Sequence, residues 1–193
     1  DREADPSTRL AILASLEEVP GDGATSILER ESSDRDLEVV HVAVRGLARR
    51  AAGDEDAEAR LLVPFERTSG DRWFAWADGL GEGGFEPAIP AFLTRLDHAD
   101  WQVRSAAIDN LVRLRAREAI LPLADRLDRE AGRLLGDAID ALEDLTGQDF
   151  GEAPANWRSW WQANQATFQV PPSPIEPSGR RRRRAAAPAA PAG

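Results

Sequence analysis

Residues 87–114, PAIPAFLTRLDHADWQVRSAAIDNLVRL, and residues 118–145, EAILPLADRLDREAGRLLGDAIDALEDL, are one helical hairpin written twice. A shift of 31 residues carries Ala88-Ile89 onto Ala119-Ile120 and Arg95-Leu96-Asp97 onto Arg126-Leu127-Asp128. The same shift carries Ala107-Ile108-Asp109 onto Ala138-Ile139-Asp140, Leu111 onto Leu142 and Leu114 onto Leu145. A fixed period of roughly 20–50 residues is the mark of a solenoid, in which each hairpin buries its apolar face only by stacking on its neighbours. The expected fold is therefore all-α: an α-solenoid, a right-handed superhelix of about four hairpins with a C-terminal capping helix.

The period extends towards the N-terminus. A shift of 64 aligns Leu28 with Phe92, Asp36 with Asp100, Val39 with Val103, Ala43 with Ala107 and Leu47 with Leu111. Residues 24–52 thus read as a hairpin. Residues 55–84 read as a degenerate one: Leu61, Phe65 and Leu80 keep register, but Trp76 falls where alanine stands one repeat later. Gly79, Gly81, Gly83 and Gly84 follow closely, and a flexible inter-helix loop is expected there. Before the repeats, Asp5-Pro6 opens a first helix, with a side-chain oxygen at the N-cap and proline at the first helical position. Leu10, Leu13 and Leu16, with Ile12 on the flank, give that helix its apolar face. Asp100 is placed to cap the second helix of the central pair, in which Val103, Ala107, Leu111 and Leu114 share a stripe. Thr146-Gly147 is a favourable helix stop.

Trp157, Trp160 and Trp161 follow from about Pro154, on one face of a last helix. Terminal repeats need a cover that is apolar inside and polar outside, so a cap is favoured over a cofactor or sugar platform. From Val170 onward the chain is rich in Pro, Ala and Arg, a composition that buries too little surface to fold. The expected organisation is an N-terminal helix or cap over residues 1–23, the solenoid with its Trp-rich cap over 24–168, and a disordered tail over 169–193.

These residues resemble the HEAT-repeat superfamily in its bacterial form. The hairpin of residues 87–114 looks like a HEAT unit, with Pro90 in its first helix and Asp100, Val103 and Arg104 opening its second. The segment LTGQDFGEAPANWRSWW, residues 145–161, is similar to the close of many bacterial HEAT-repeat proteins. The resemblance spans roughly residues 24–165 and implies a superhelix that binds other macromolecules. Ala131 replaces the aspartate and Leu135 the arginine one repeat on, so an Asp–Arg ladder between repeats is interrupted. HEAT-like proteins include bilin lyases and DNA glycosylases, but no motif carries either activity onto this chain.

Charge and composition narrow the function classes. All 24 basic residues are arginine, and the net charge is −10. Residues 1–178 hold 19 arginines against 34 acids, a balance of −15, which repels a polyanion. Arg180 to Arg184 form a separate basic run, for which a low-complexity tail without function is favoured over binding to nucleic acid, an anionic membrane surface or the acidic body itself. With 42% hydrophobic residues the chain has enough apolar material for one core, and no apolar run reaches the roughly 18 residues a membrane span requires. Cysteine is absent, so disulfides and thiolate chemistry are excluded. A start at Asp1 without any methionine fits a removed signal peptide or a trimmed piece; of cytoplasm and cell envelope, export is favoured.

Catalytic motifs are missing. The absence of lysine excludes Schiff bases, Ser–Lys dyads and a P-loop lysine, and no Gly-x-Ser-x-Gly elbow occurs. His98 and Asp100 offer two metal ligands without a third, so Asp100 reads as a cap and His98 as a solvated turn residue. His41 lies within a helix. No cofactor, metal or catalytic residue is expected. The most specific polar pattern is Asp78, Asp109 and Asp140, three aspartates one period apart, which stacking would set in a row on a concave face. Such a row would attract a basic peptide, or would be a solvated edge laddered with arginines such as Arg113. Trp73, Trp76 and Trp101 are rival partner-binding residues, since aromatics dominate binding hot spots. The leading expectation is a non-enzymatic scaffold for protein–protein interaction through its concave face. The alternatives are a HEAT-like enzyme or lyase accessory subunit, and a nucleic-acid binder acting through its Arg-rich tail.

Overall fold

Asp36, Asp54 and Asp100 each stand in extended backbone just before a helix, and each carboxylate accepts a hydrogen bond from a free first-turn N–H. In the computed structural model, which describes residues 5–172, ten α-helices and two short 3-10 turns make up the regular structure, with no strand among the described residues. The helices are α1 (Pro6–Ser15), α2 (Asp22–Glu31), α3 (Leu37–Ala51), α4 (Glu55–Arg67) and α5 (Asp71–Glu82). After these come α6 (Ile89–Arg95), α7 (Trp101–Arg113), α8 (Ile120–Arg126), α9 (Gly132–Thr146) and α10 (Pro154–Asn164). The 3-10 turns Glu86–Ala88 and Arg117–Ala119 lead into α6 and α8. None of these helices is long and apolar enough to cross a membrane.

The second helix of each hairpin packs on the next, α3 on α5, α5 on α7 and α7 on α9, while α2, α6 and α8 each lean on their own partner. One continuous core runs through the series, with Leu28, Leu80, Phe92, Leu111, Leu123, Leu142 and Trp157 fully buried. Ala43, Ala107 and Ala138, at equivalent repeat positions, have no solvent exposure. Small side chains at these positions let the second helices approach closely.

The glycine-rich stretch departs from expectation. Gly79, Gly81 and Glu82 are helical, and α5 ends at the cap residue Gly83. Glycine is required here by space. A Cβ on Gly79 would stand 2.8 Å from the His41 carbonyl oxygen and 2.9 Å from Val44 Cβ, both on α3. Gly83 faces Ala48 of the same helix, and Gly81 faces the buried Asn110 of α7. Asn110 is itself held by donating through Nδ2 to the Ala106 carbonyl at 2.9 Å. The run expected to loosen the repeat therefore locks it between its neighbours. Gly84, at φ +73°, makes the turn that follows.

Both ends are covered. At the N-terminus α1 packs on α3 through Leu13, with Leu10 and Leu16 alongside. Pro6 opens α1 as expected, but the Asp5 carboxylate accepts from the Ser7 hydroxyl and makes no cap to a backbone N–H. At the other end α9 stops at Gly147 in left-handed backbone, φ 72°. Helix α10 then folds over α8, burying Trp157 completely and Trp161 almost so. Phe168 packs edge-on against Trp160 and Trp161. Val170 packs on the core and Pro171 is held by Arg115, so the ordered chain runs past the expected start of the tail. The rest of that tail, Arg180 to Arg184 included, and the chain start at Asp1 lie outside the described residues.

The interrupted Asp–Arg ladder is bridged differently. Arg104 reaches across to Glu130 through Nε at 3.0 Å and Nη2 at 3.1 Å, and also donates to the His98 and Ala99 carbonyls. Arg126 pairs with Glu130 as well, and with Asp97 at 2.5 Å. Burial pushes the Glu130 carboxyl up, but the hydrogen bonds from Arg126 and Arg104 more than offset it and hold it below the ordinary glutamate range.

Candidate interaction surface

The side of the second helices turned away from the core carries polar residues at helical spacing, one turn apart on each helix. On α3 these are His41, Arg45 and Arg49; on α5, Asp78 and Glu82; on α7, Ser105, Asp109 and Arg113; on α9, Arg133, Asp137 and Asp140. The helix packing places the four sets side by side.

The N-terminal half of this face is closed by ion pairs. Arg45 Nε donates to Glu17 at 2.7 Å, and Arg49 pairs with the same, largely buried carboxylate. His41 Nε2 lies 3.1 Å from Glu82, and Arg45 approaches that carboxylate at 3.5 Å. Arg113 Nη1 donates to Asp78 at 2.9 Å. Both of those side chains are more than 40% exposed, so the pair adds only about 0–1 kcal/mol and opens readily. The first aspartate of the row is therefore already partnered, by the arginine that the ladder alternative singled out.

Asp109 behaves differently. Like Asp140 it is exposed, yet the protein atoms around it push its carboxyl above the ordinary aspartate range. Loss of hydration is the main cause; Arg113 and Arg133 pull the other way, while Asp137 and Asp78 add to the rise. Asp137 accepts from the Ser105 hydroxyl at 3.0 Å and sits 3.7 Å from Arg133. Asp140 is exposed, one turn beyond. The face is thus graded, with arginines neutralised near α3 and carboxylates crowded near α9.

A carboxyl raised on folding contributes stability that is complete below its unfolded-state pKa and is lost as pH rises through the folded one. At neutral pH the ionised Asp109 opposes folding. Asp109→Asn is therefore expected to raise the midpoint of urea unfolding at pH 7 and to change it little at pH 3. A fall at pH 7 would mean that Arg113 and Arg133 outweigh the crowding.

The tryptophans divide. Trp73 and Trp76 are 2% and 5% exposed, so they are core residues and no partner reaches their rings on this face. Trp73 lies 6.0 Å from Phe65 in a stacked pair, with the Arg95 guanidinium 5.8 Å over its ring, and its buried Nε1 has no hydrogen-bond partner. Trp101, the first residue of α7, is 49% exposed. His98 accepts from the Asp100 N–H at 3.1 Å through Nδ1, a local turn bond. No group of three potential ligands is placed to hold a metal among the described residues.

Repeat arithmetic missed Asp137, Arg133 and Ser105. It finds only residues that recur, and one period before Asp137 stands Ala106. The available signal was helical spacing, since Asp137 precedes Asp140 by three. The sequence matches no protein-family model and none of the curated proteins with which it was compared.

Proposed function

We propose that the chain is a non-enzymatic scaffold: a right-handed α-solenoid of about four HEAT-like hairpins, closed by α10, that binds another protein on the outward face of α3, α5, α7 and α9. The grading of that face carries the reading. Near α9 the exposed Asp109 and Asp140 and the half-buried Asp137 offer negative charge, and near α3 Arg45 and Arg49 are paired with Glu17. A basic segment lying across α7 and α9 would relieve the crowding at Asp109 while pairing with Asp140. Exposed Trp101 at the start of α7 adds an aromatic contact of the kind that anchors interfaces. The close-packed second helices hold these groups in fixed register, which lowers the ordering cost of binding.

Affinity capture from source-cell extract, read by cross-linking mass spectrometry, tests this with three baits: the intact chain, the chain cut after Ser178, and Asp109→Asn/Asp140→Asn. A protein cross-linked to α7 or α9 should be captured by the first two and lost with the third. Capture that needs the residues after Ser178, or nucleic acid alone, would place the function on the tail instead.

A further inference from the structure

A cavity of about 600 Å³ opens on the opposite side of the molecule, between α2 and α4 and over α3. Its floor is apolar: Leu47, Ala51, Leu61 and the ring of Trp76. Both α2 and α4 pack on α3 but scarcely on each other. Trp76 occupies the position of Ala107 and Ala138 in the later hairpins, one and two periods on. This larger side chain lies beneath the gap between α2 and α4, so the irregular position of the repeat is also part of the groove floor. The volume lies within the roughly 300–1,000 Å³ of small-ligand and side-chain sites.

The rim carries the carboxylates of Asp22, Glu29 and Asp54. Arg50 also borders it and donates to Thr25 Oγ1 at 3.0 Å and to the carbonyls of Val19 at 2.5 Å and Gly21 at 2.8 Å, which hold it towards α1 and α2. Arg60 lies 3.9 Å from Glu29 across the groove, a loose pair with both side chains about half exposed or more. Pro64, inside α4, has no N–H to give the Arg60 carbonyl four residues earlier. The rim therefore offers the exposed carboxylates of Asp22 and Glu29 as acceptors, beside the hydroxyls of Thr25, Ser32 and Ser33, while Asp54 is engaged in capping α4.

We propose that this groove binds a peptide in which an apolar side chain sits beside arginine or lysine. The apolar group fills the floor over Trp76 and the basic group takes the acceptors of Asp22, Glu29 and the Arg60 carbonyl. The surrounding charge of −15 over residues 1–178 draws such a peptide in and repels an acidic one. The site is distinct from the outward face of α7 and α9, and neither depends on the other.

Fluorescence anisotropy with three labelled hexapeptides on the full chain is the test: Gly-Arg-Leu-Phe-Arg-Gly, the same with both arginines replaced by glutamate, and the same with Leu-Phe replaced by Gly-Gly. The first should bind at least about tenfold more tightly than either control. Ala57→Phe, which fills the groove from α4, and Asp22→Asn/Glu29→Gln, which changes only exposed side chains, should each weaken it about tenfold, whereas Asp109→Asn/Asp140→Asn should not. Equal binding of the glutamate peptide, no binding by any of the three, or unchanged binding to both groove variants would overturn the proposal. Binding seen only after removal of the residues beyond Ser178 would also overturn it, by making the chain's own tail the occupant.

Discussion

Replacing Gly79 by alanine should destabilise the protein by about 1–3 kcal/mol, although glycine to alanine within a helix ordinarily stabilises by about 1 kcal/mol. Two effects of opposite sign compete. Alanine restricts the unfolded chain and favours the helix. Its methyl, however, would enter at 2.8 Å from the His41 carbonyl oxygen and 2.9 Å from Val44 Cβ, atoms fixed to the α3 backbone. No side-chain rotation relieves that contact, so α3 and α5 must part along the seam that also holds Gly83 against Ala48. Overpacking wins. Urea unfolding followed by circular dichroism decides it, with Gly23→Ala as the control, since a Cβ there meets nothing within 4 Å. If Gly79→Ala were as stable as that control, the close packing of α3 on α5 would be wrong.

The second large effect is expected at the C-terminal cap. Trp157 is fully buried, donates through Nε1 to the Gly151 carbonyl at 2.9 Å and meets Phe150 edge-on at 4.9 Å. Trp157→Ala removes the largest wholly buried side chain and leaves a void between α10 and α8, at a cost of about 3–5 kcal/mol. Against a typical total of about 5–15 kcal/mol, that is a large share. Thermal unfolding should fall by roughly 10 °C for a chain of this size, and more of the unfolded material should aggregate as the last hairpin loses its cover. Trp160 is only half-buried, and Trp160→Ala should cost clearly less. Equal losses at the two positions would deny α10 its role as a cover.

Much of the fold was legible because the physics is local and repeated. Capping carboxylates at Asp36 and Asp100, alanine at positions 43, 107 and 138, and the Gly147 stop each act within one hairpin and recur or end there. The glycines of α5 misled for the same reason. Judged by propensity alone they break a helix, and only the neighbouring helices α3 and α7, about thirty residues or more away in sequence, give their lack of a side chain a purpose. The roles of Trp73 and Trp76 were not legible, because large aromatic rings serve equally as core and as contact surface and burial is settled by elements distant in sequence; Trp73 is buried, while Trp76 also lines the groove between α2 and α4. The polar face was half legible. Periodicity found the three aspartates, but Arg113 beside Asp78 and Asp137 and Arg133 near Asp109 share no period with them.

One contact near the end of the described chain sets the geometry of whatever follows it. Arg115, in left-handed backbone at φ 53°, donates to the Asp144 carbonyl at 2.7 Å and to the Pro171 carbonyl at 2.6 Å, while Arg117 ties Gln165 and lies over Trp161. The polypeptide thus leaves the fold beside the end of α9, one helical turn from Asp140, and not from the far tip of α10. Arg115 thereby fixes the last described residues against the end of α9, and Arg115→Ala should release Pro171 without disturbing the burial of Trp157.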